Sequence, residues 1–462
     1  MKTRGFRRPP IAMAAVGLWL LTFLPGIWDG AAAWAIRAAC VALWTWLTAV
    51  LFSAPAPRPA LAAPLFLLST SAFWLYAIVP VVFATAFMEI PGKMLTVLAL
   101  GTPPDAIARF IGSEGELAVL RFALVGIATA AWITPENSGA EEGTSGIMAE
   151  PPRWITLGLG VGAGAIYAAA RHLPTDLAHY LSAELIRQAD FAALVVFCVA
   201  VALAALRAVA RAPGALLDLV VLGAAAVAFL FSGGLKLVVF VFGASLLAVA
   251  LARRSSLTLG ITAAASSIAL ISVVAVQNPG QDLHMSFPEY SARIVVSKVI
   301  LRQIETVDCL TGVIRAHDGA YTESATVFYF ASGLVPRALW PERPNLSQSG
   351  KAVIQYCDPS MAPGSDAAGH SAAATLLWEP LARGGPAAQV VAQVLTLLIL
   401  AGLSRAWIGG NGYAAAGALA LTPWAVDFDQ HFSLYIANLV KAGLVAGSCL
   451  LLVAWGRRVF RW

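Results

Sequence analysis

Phe191-Ala192-Ala193-Leu194-Val195-Val196-Phe197-Cys198-Val199-Ala200-Val201-Ala202-Leu203-Ala204-Ala205-Leu206 runs from Asp190 to Arg207 without a charge, an amide or a hydroxyl. It shows no period-2 alternation, which argues against a barrel strand. With its flanks, 190–210, it has the length at which an apolar run reads as a membrane-spanning helix.

The run is one of a set. Working outward, comparable stretches fall at 10–28, 31–52, 61–88, 115–134, 154–171, 214–231, 235–252, 257–276, 386–405, 410–426 and 434–455. The stretch 61–88 is over-long and must tilt or kink near Pro80. The chain is 59% hydrophobic and 12% charged, with a mean hydropathy of +0.77, whereas soluble domains carry about 25% charge. The expected fold is therefore all-α: a polytopic integral membrane protein of about twelve transmembrane helices. One long extracytoplasmic loop carries short amphipathic helices. This divides the chain into nine spans over 1–276, a periplasmic loop over 277–385, and three spans over 386–462.

Lys2, Arg4, Arg7 and Arg8 precede the first apolar run, and Ala33-Trp34-Ala35 mimics a leader-peptide cleavage site. A second span follows at once, so the first reads as an uncleaved helix. Twelve spans place Arg58, Arg207, Arg211, Arg253, Arg254, Arg405, Arg457, Arg458 and Arg461 on the side of that basic N-terminus. The bias in basic residues then makes both termini cytoplasmic. It also accounts for the net charge of +5 without nucleic acid. Charges inside spans are few, chiefly Arg37 and Arg121, and no internal repeat is visible; both weigh against a transporter.

Within 277–385, the segment 288–305 forms an amphipathic helix by its wheel, with Lys298, Arg302 and Glu305 in one polar arc, suited to a membrane interface. Val327-Phe328-Tyr329-Phe330 is a second apolar element, and 345–370 reads as a Gly/Ser/Asp/Pro-rich binding loop or lid. Cys309 and Cys357 share the outer compartment, where spacing alone fixes no disulfide.

Nucleotide-loop, serine-hydrolase, zinc-protease and paired-cysteine signatures are absent from the sequence. His172, Asp176 and His179 have metal-like spacing but read better as a polar loop cap. Glu141-Glu142 reads as a solvated loop. The sharpest feature is Val335-Pro336-Arg337-Ala338-Leu339-Trp340-Pro341-Glu342-Arg343-Pro344. Its prolines stiffen a segment bearing Arg337 and Arg343, and guanidinium groups make bidentate contacts to phosphate oxygens. Lipid-headgroup snorkelling or pairing with Glu342 is the plainer alternative. Lys236 stands at the outer tip of a tight hairpin, either functional or snorkelling. Glu379, ahead of the tenth span, suits a general base or a helix-start carboxylate. His370 and Asp366 are further base candidates. Asp427, Asp429 and His431 read as a solvated turn.

At these residues the chain resembles the polymerases of lipid-linked oligosaccharide repeat units, the O-antigen (Wzy-type) group. The likeness rests on 335–344, on the Gly/Ser-Lys element 232–236, and on Trp378-Glu379 with Arg383-Gly384-Gly385. In the last, Trp378 replaces a small residue and Arg383-Gly384 an Asn-Phe pair. It covers most of residues 210–455, and hydropathy alone covers the first half. It implies a metal-independent glycosyltransferase of GT-C type in the bacterial inner membrane, with no cofactor. Such an enzyme joins undecaprenyl-diphosphate-linked repeat units into O-antigen, capsule or exopolysaccharide on the periplasmic face. Arg337 and Arg343 would clamp the diphosphate, Lys236 and Arg302 would add charge, and Glu379 or His370 would deprotonate the acceptor hydroxyl. The implied partners are those lipid-linked glycans and membrane lipids, with a chain-length regulator left open. An O-antigen ligase, a lipid-glycan transporter or flippase, and, from His431 alone, an O-acyltransferase are the rivals.

Overall fold

The apolar run around Cys198 becomes the centre of the molecule. In the computed structural model, residues 9–27, 30–53, 114–133, 152–171, 183–229, 235–253, 310–312, 314, 333–335, 339–342, 376–409, 412–428 and 430–460 are described. Regular structure among them is entirely helical: α1 (Pro9–Leu21), α2 (Gly30–Ser53), α3 (Glu114–Ile133), α4 (Arg153–Arg171), α5 (Ala183–Val209), α6 (Ala215–Ala225, continued as a 3-10 turn Ala226–Phe229), α7 (Leu235–Arg253), α8 (Trp378–Gly409), α9 (Gly412–Ala425) and α10 (Phe432–Phe460).

Helix α5 is ringed by α4, α6, α7, α9 and α10, and Val195 and the whole of Phe197 through Ala205 are fully buried. In lipid, helices gain nothing by hiding apolar surface from one another, so close van der Waals contact must hold them. The alanines at 200, 202, 204 and 205 permit that approach. Gly160 shows the same device on α4, where a Cβ would collide with Leu222 Cδ2 on α6. A second group, α1 to α3, joins this bundle through α3 and α8.

Among the described residues, five helices are long and apolar enough to cross a membrane: Ala31–Val50, Glu114–Trp132, Leu185–Val209, Gly384–Trp407 and Phe432–Val459. Shorter apolar helices lie at Pro10–Leu21, Ala215–Phe229 and Leu235–Ala250. The expected spans 61–88 and 257–276 lie outside the described residues.

Several boundaries differ from the sequence reading: α5 starts at Ala183 rather than 190 and α10 runs to Phe460 rather than 455, and two further differences have a local reason. The first helix stops at Leu21 rather than near 28, because Pro25 disfavours a helical Leu24 and Gly26 turns with φ 71°. The exposed carbonyl end of α1 is satisfied from outside. Arg121 Nε and Nη2 donate to Thr22 Oγ1 (3.0 Å) and Thr22 O (2.8 Å), with the guanidinium 3.9 Å over the Phe23 ring. Helix α8 begins at Trp378, ahead of 386, and is broken at Gly385 (φ 71°, ψ −169°). Glycine tolerates that left-handed φ, and Pro386 is pre-set to start the next segment.

The ion pairs lie toward the two ends of the bundle. At one end Asp218, fully buried, receives Arg153 Nε at 2.5 Å and faces Arg207 Nε at 3.6 Å. This fastens the starts of α4 and α6 to the finish of α5. The opposite end carries Lys236, the start of α8 and the α9–α10 connection. There Arg37 and Glu116 form a buried two-point pair, Nε to Oε1 at 2.7 Å and Nη2 to Oε2 at 2.8 Å, with Trp34 4.4 Å beneath the guanidinium.

Candidate functional site

The end that carries Lys236 brings together chain segments that are remote in sequence. Lys236 is the second residue of α7, and its Nζ donates to Asp427 Oδ1 at 2.9 Å across a separation of 191 residues. Asp427 is buried, while the Lys236 side chain keeps 38% of its exposure. Gln430 Nε2 donates to Asp427 Oδ2, and Asn438 Nδ2 donates to Gln430 Oε1 at 2.7 Å. Lysine has three donors, so the pair leaves the ammonium capacity on its open side.

The start of α8 is fastened beside this chain. Glu379 has 0% exposure; its Oε2 accepts from the Ser433 backbone N–H and its Oε1 from Ser433 Oγ, both at 2.8 Å. Ser433 is in the first turn of α10, where backbone N–H groups have no partner within the helix and the dipole favours an anion. Glu379 thus caps a helix other than its own, which the sequence reading did not foresee. Trp378 Nε1 donates to His431 Nδ1 at 3.1 Å, Leu376 N to Phe428 O at 3.3 Å, and Tyr435 Oη to Ala425 O at 3.0 Å.

These contacts overturn one expectation. Asp427 and His431 are buried, not part of a solvated turn; their hydrogen bonds to Lys236, Gln430 and Trp378 satisfy polar groups that would otherwise be costly away from water. Asp427 was the residue the sequence reading undervalued. The available signal was an acid and a lysine ending different apolar runs on the same side.

Of the candidate site residues, Lys236 and Glu379 are described and stand at this one end. Arg337, Arg343, Arg302 and His370 lie outside the described residues, as do Cys309 and Cys357. The described part of the Pro-Arg motif is at the surface, with Leu339, Pro341 and Glu342 exposed and Trp340 partly so. The polar segment between α7 and α8 reaches the same end of the bundle: Leu310 is buried and Thr311 Oγ1 accepts from Gly115 N at the start of α3 (3.2 Å).

Chemically, this end offers a part-exposed lysine and two buried carboxylates, Asp427 fixed by Lys236 and Gln430 and Glu379 fixed by the neutral donors of Ser433, at the rim of an apolar bundle. Comparison with family models, with curated proteins and with solved structures finds no match to this chain.

Proposed function

We propose that this protein polymerises undecaprenyl-diphosphate-linked oligosaccharide repeat units at the outer face of the bacterial inner membrane. In this reading about twelve helices span the bilayer, both termini are cytoplasmic, and the Lys236 end is periplasmic. An acceptor hydroxyl oxygen attacks the anomeric carbon of the donor glycan. The bond from that carbon to the diphosphate oxygen breaks, the proton passes to a base, and the lipid diphosphate leaves with the electron pair.

Negative charge grows on the departing diphosphate as that bond breaks, so cations fixed where water is scarce stabilise the transition state. The observation that carries the proposal is Lys236, held by Asp427 while 38% of its side chain stays exposed. It stands at the end of the bundle that Leu310 and Thr311, in the same connection between α7 and α8, also reach. Arg337 and Arg343 form the main clamp, with Arg302 supplementing it. Deprotonation of the acceptor falls to Glu379 or His370; for Glu379 it requires release from Ser433.

The test is the size profile of lipid-linked and surface glycans in a deletion strain complemented with wild type or with Arg337→Ala. Loss of the long-chain ladder, with single repeat units remaining and rescue by wild type alone, is the expected result. Long glycan stranded on its lipid carrier would assign a ligase instead, and an unchanged profile would overturn the pathway assignment.

A further inference from the structure

Arg121 belongs to the partly exposed stripe of α3 that Leu117, Val125 and Thr129 share with it. It lies seven residues in from Glu114, about 10 Å at 1.5 Å per residue. A guanidinium has five N–H donors, and two of these go to Thr22 at the end of α1. Among the described residues the other three have no partner, and no carboxylate pairs with Arg121. The neighbouring Phe122 ring meets Phe428 at 6.2 Å, which sets Arg121 at the depth of Asp427, on the side of α3 that faces α1.

Two observations say what this cation meets. The first is the backbone beside it. Helix α1 has only 13 residues, about 20 Å, well short of a hydrocarbon core of about 30 Å. It gives way to turns over 22–27, where Phe23, Leu24, Pro25 and Gly26 are exposed. Irregular backbone exposed to lipid does not occur within the hydrocarbon region. The polar boundary of the bilayer must therefore come in to this turn, and with it to the guanidinium 3.9 Å over the Phe23 ring. The second observation is the company the cation keeps. The exposed side chains around it are apolar, Leu20, Leu21, Phe23 and Leu24, and a charge at this depth calls for an opposite one. Free N–H donors above an apolar flank fit a phosphodiester joined to acyl chains.

We propose that Arg121 binds the phosphate of a phospholipid from the adjoining leaflet, drawn in where α1 stops short. The acyl chains lie against Leu20, Leu21 and Leu24. The site is separate from the Lys236 centre and does not depend on the glycosyl-transfer reading.

The experiment is native mass spectrometry of the full chain in detergent, titrated with equal amounts of phosphatidylglycerol and of diacylglycerol carrying the same palmitoyl and oleoyl chains. Wild type retains phosphatidylglycerol in preference. Arg121→Gln lowers that preference by about fivefold, the effect of one basic residue near the headgroup, and Arg121→Lys restores part of it. Thr22→Ala loosens the end of α1 but keeps the guanidinium, and leaves the preference in place. Equal retention of the two lipids by wild type overturns the site, as does a preference unchanged in Arg121→Gln. An equal loss in Thr22→Ala would reduce Arg121 to a cap for α1. Displacement of the bound phosphatidylglycerol by an equal amount of undecaprenyl diphosphate would reassign the site to the lipid carrier.

Discussion

Lys236 and Asp427 are 191 positions apart in the chain and 2.9 Å apart in space, one half-exposed and the other buried. The asymmetry matters. Lysine can reach water or a ligand, whereas Asp427 is held inside by Lys236 and Gln430.

Removing each partner in turn should therefore give unequal results. Lys236→Met leaves a buried carboxylate with a lost cation and should destabilise by about 1–3 kcal/mol. Asp427→Asn keeps an acceptor for Gln430 and should cost less. A double-mutant cycle on denaturation in detergent should show a coupling of about 1 kcal/mol, since one member is solvent-exposed. Zero coupling would remove the pair from the account of the site.

Glu379 fixes the first turn of α10 through both carboxylate oxygens. Ser433→Ala deletes only the hydroxyl donor and should cost about 1 kcal/mol. Glu379→Ala deletes the whole cap and the charge at the helix start, and should cost about 2 kcal/mol. Thermal denaturation of the two variants in one detergent checks the order; a Glu379→Ala protein as stable as wild type would contradict the capping role.

Arg37 and Glu116 form a pair in which both members are buried, and there the sign of the effect depends on how the pair is altered. Arg37→Met alone removes the cation from the buried Glu116 and should destabilise by about 3–5 kcal/mol. Arg37→Met combined with Glu116→Leu removes both charges and should recover most of that loss. The comparison requires only stability measurements on three proteins, and failure of the double variant to recover would mean that the pair contributes more than it costs to bury.

Gly160 faces Leu222 where α4 packs against α6. Gly160→Ala puts a methyl group where Leu222 Cδ2 now lies, and overpacking of this kind costs about 1–3 kcal/mol. Leu222→Ala in the same chain should relieve part of the strain. If Gly160→Ala proved neutral by itself, the Leu222 side chain would have room to swing aside.

Much of the helical architecture was legible in advance, because the membrane-spanning signal is local. A run such as 191–206 leaves its backbone no polar partner except itself, so the helix follows from composition and length. The sequence reading ran its first span to 28, past Pro25-Gly26, although those residues carry the reason for the stop in their own φ preferences, as Gly385-Pro386 do for the break in α8. The candidate site was legible only in fragments. Lys236 and Glu379 stood out as charges at the ends of apolar runs, and the proline-framed arginines stood out by residue type. Nothing local distinguishes Asp427 from a solvated turn aspartate, or Ser433 and Gln430 from ordinary polar residues at a helix start.

The sequence by itself determined that this chain is helical and apolar enough for a membrane, and which residues are too polar to lie on its lipid-facing sides. Only the tertiary structure decided that Lys236 meets Asp427, that Glu379 caps α10, and that Asp218 gathers Arg153 and Arg207. The physical reason is range. Helix formation is settled by hydrogen bonds between residues four apart, while the partner of a buried charge is settled by whichever helices pack side by side.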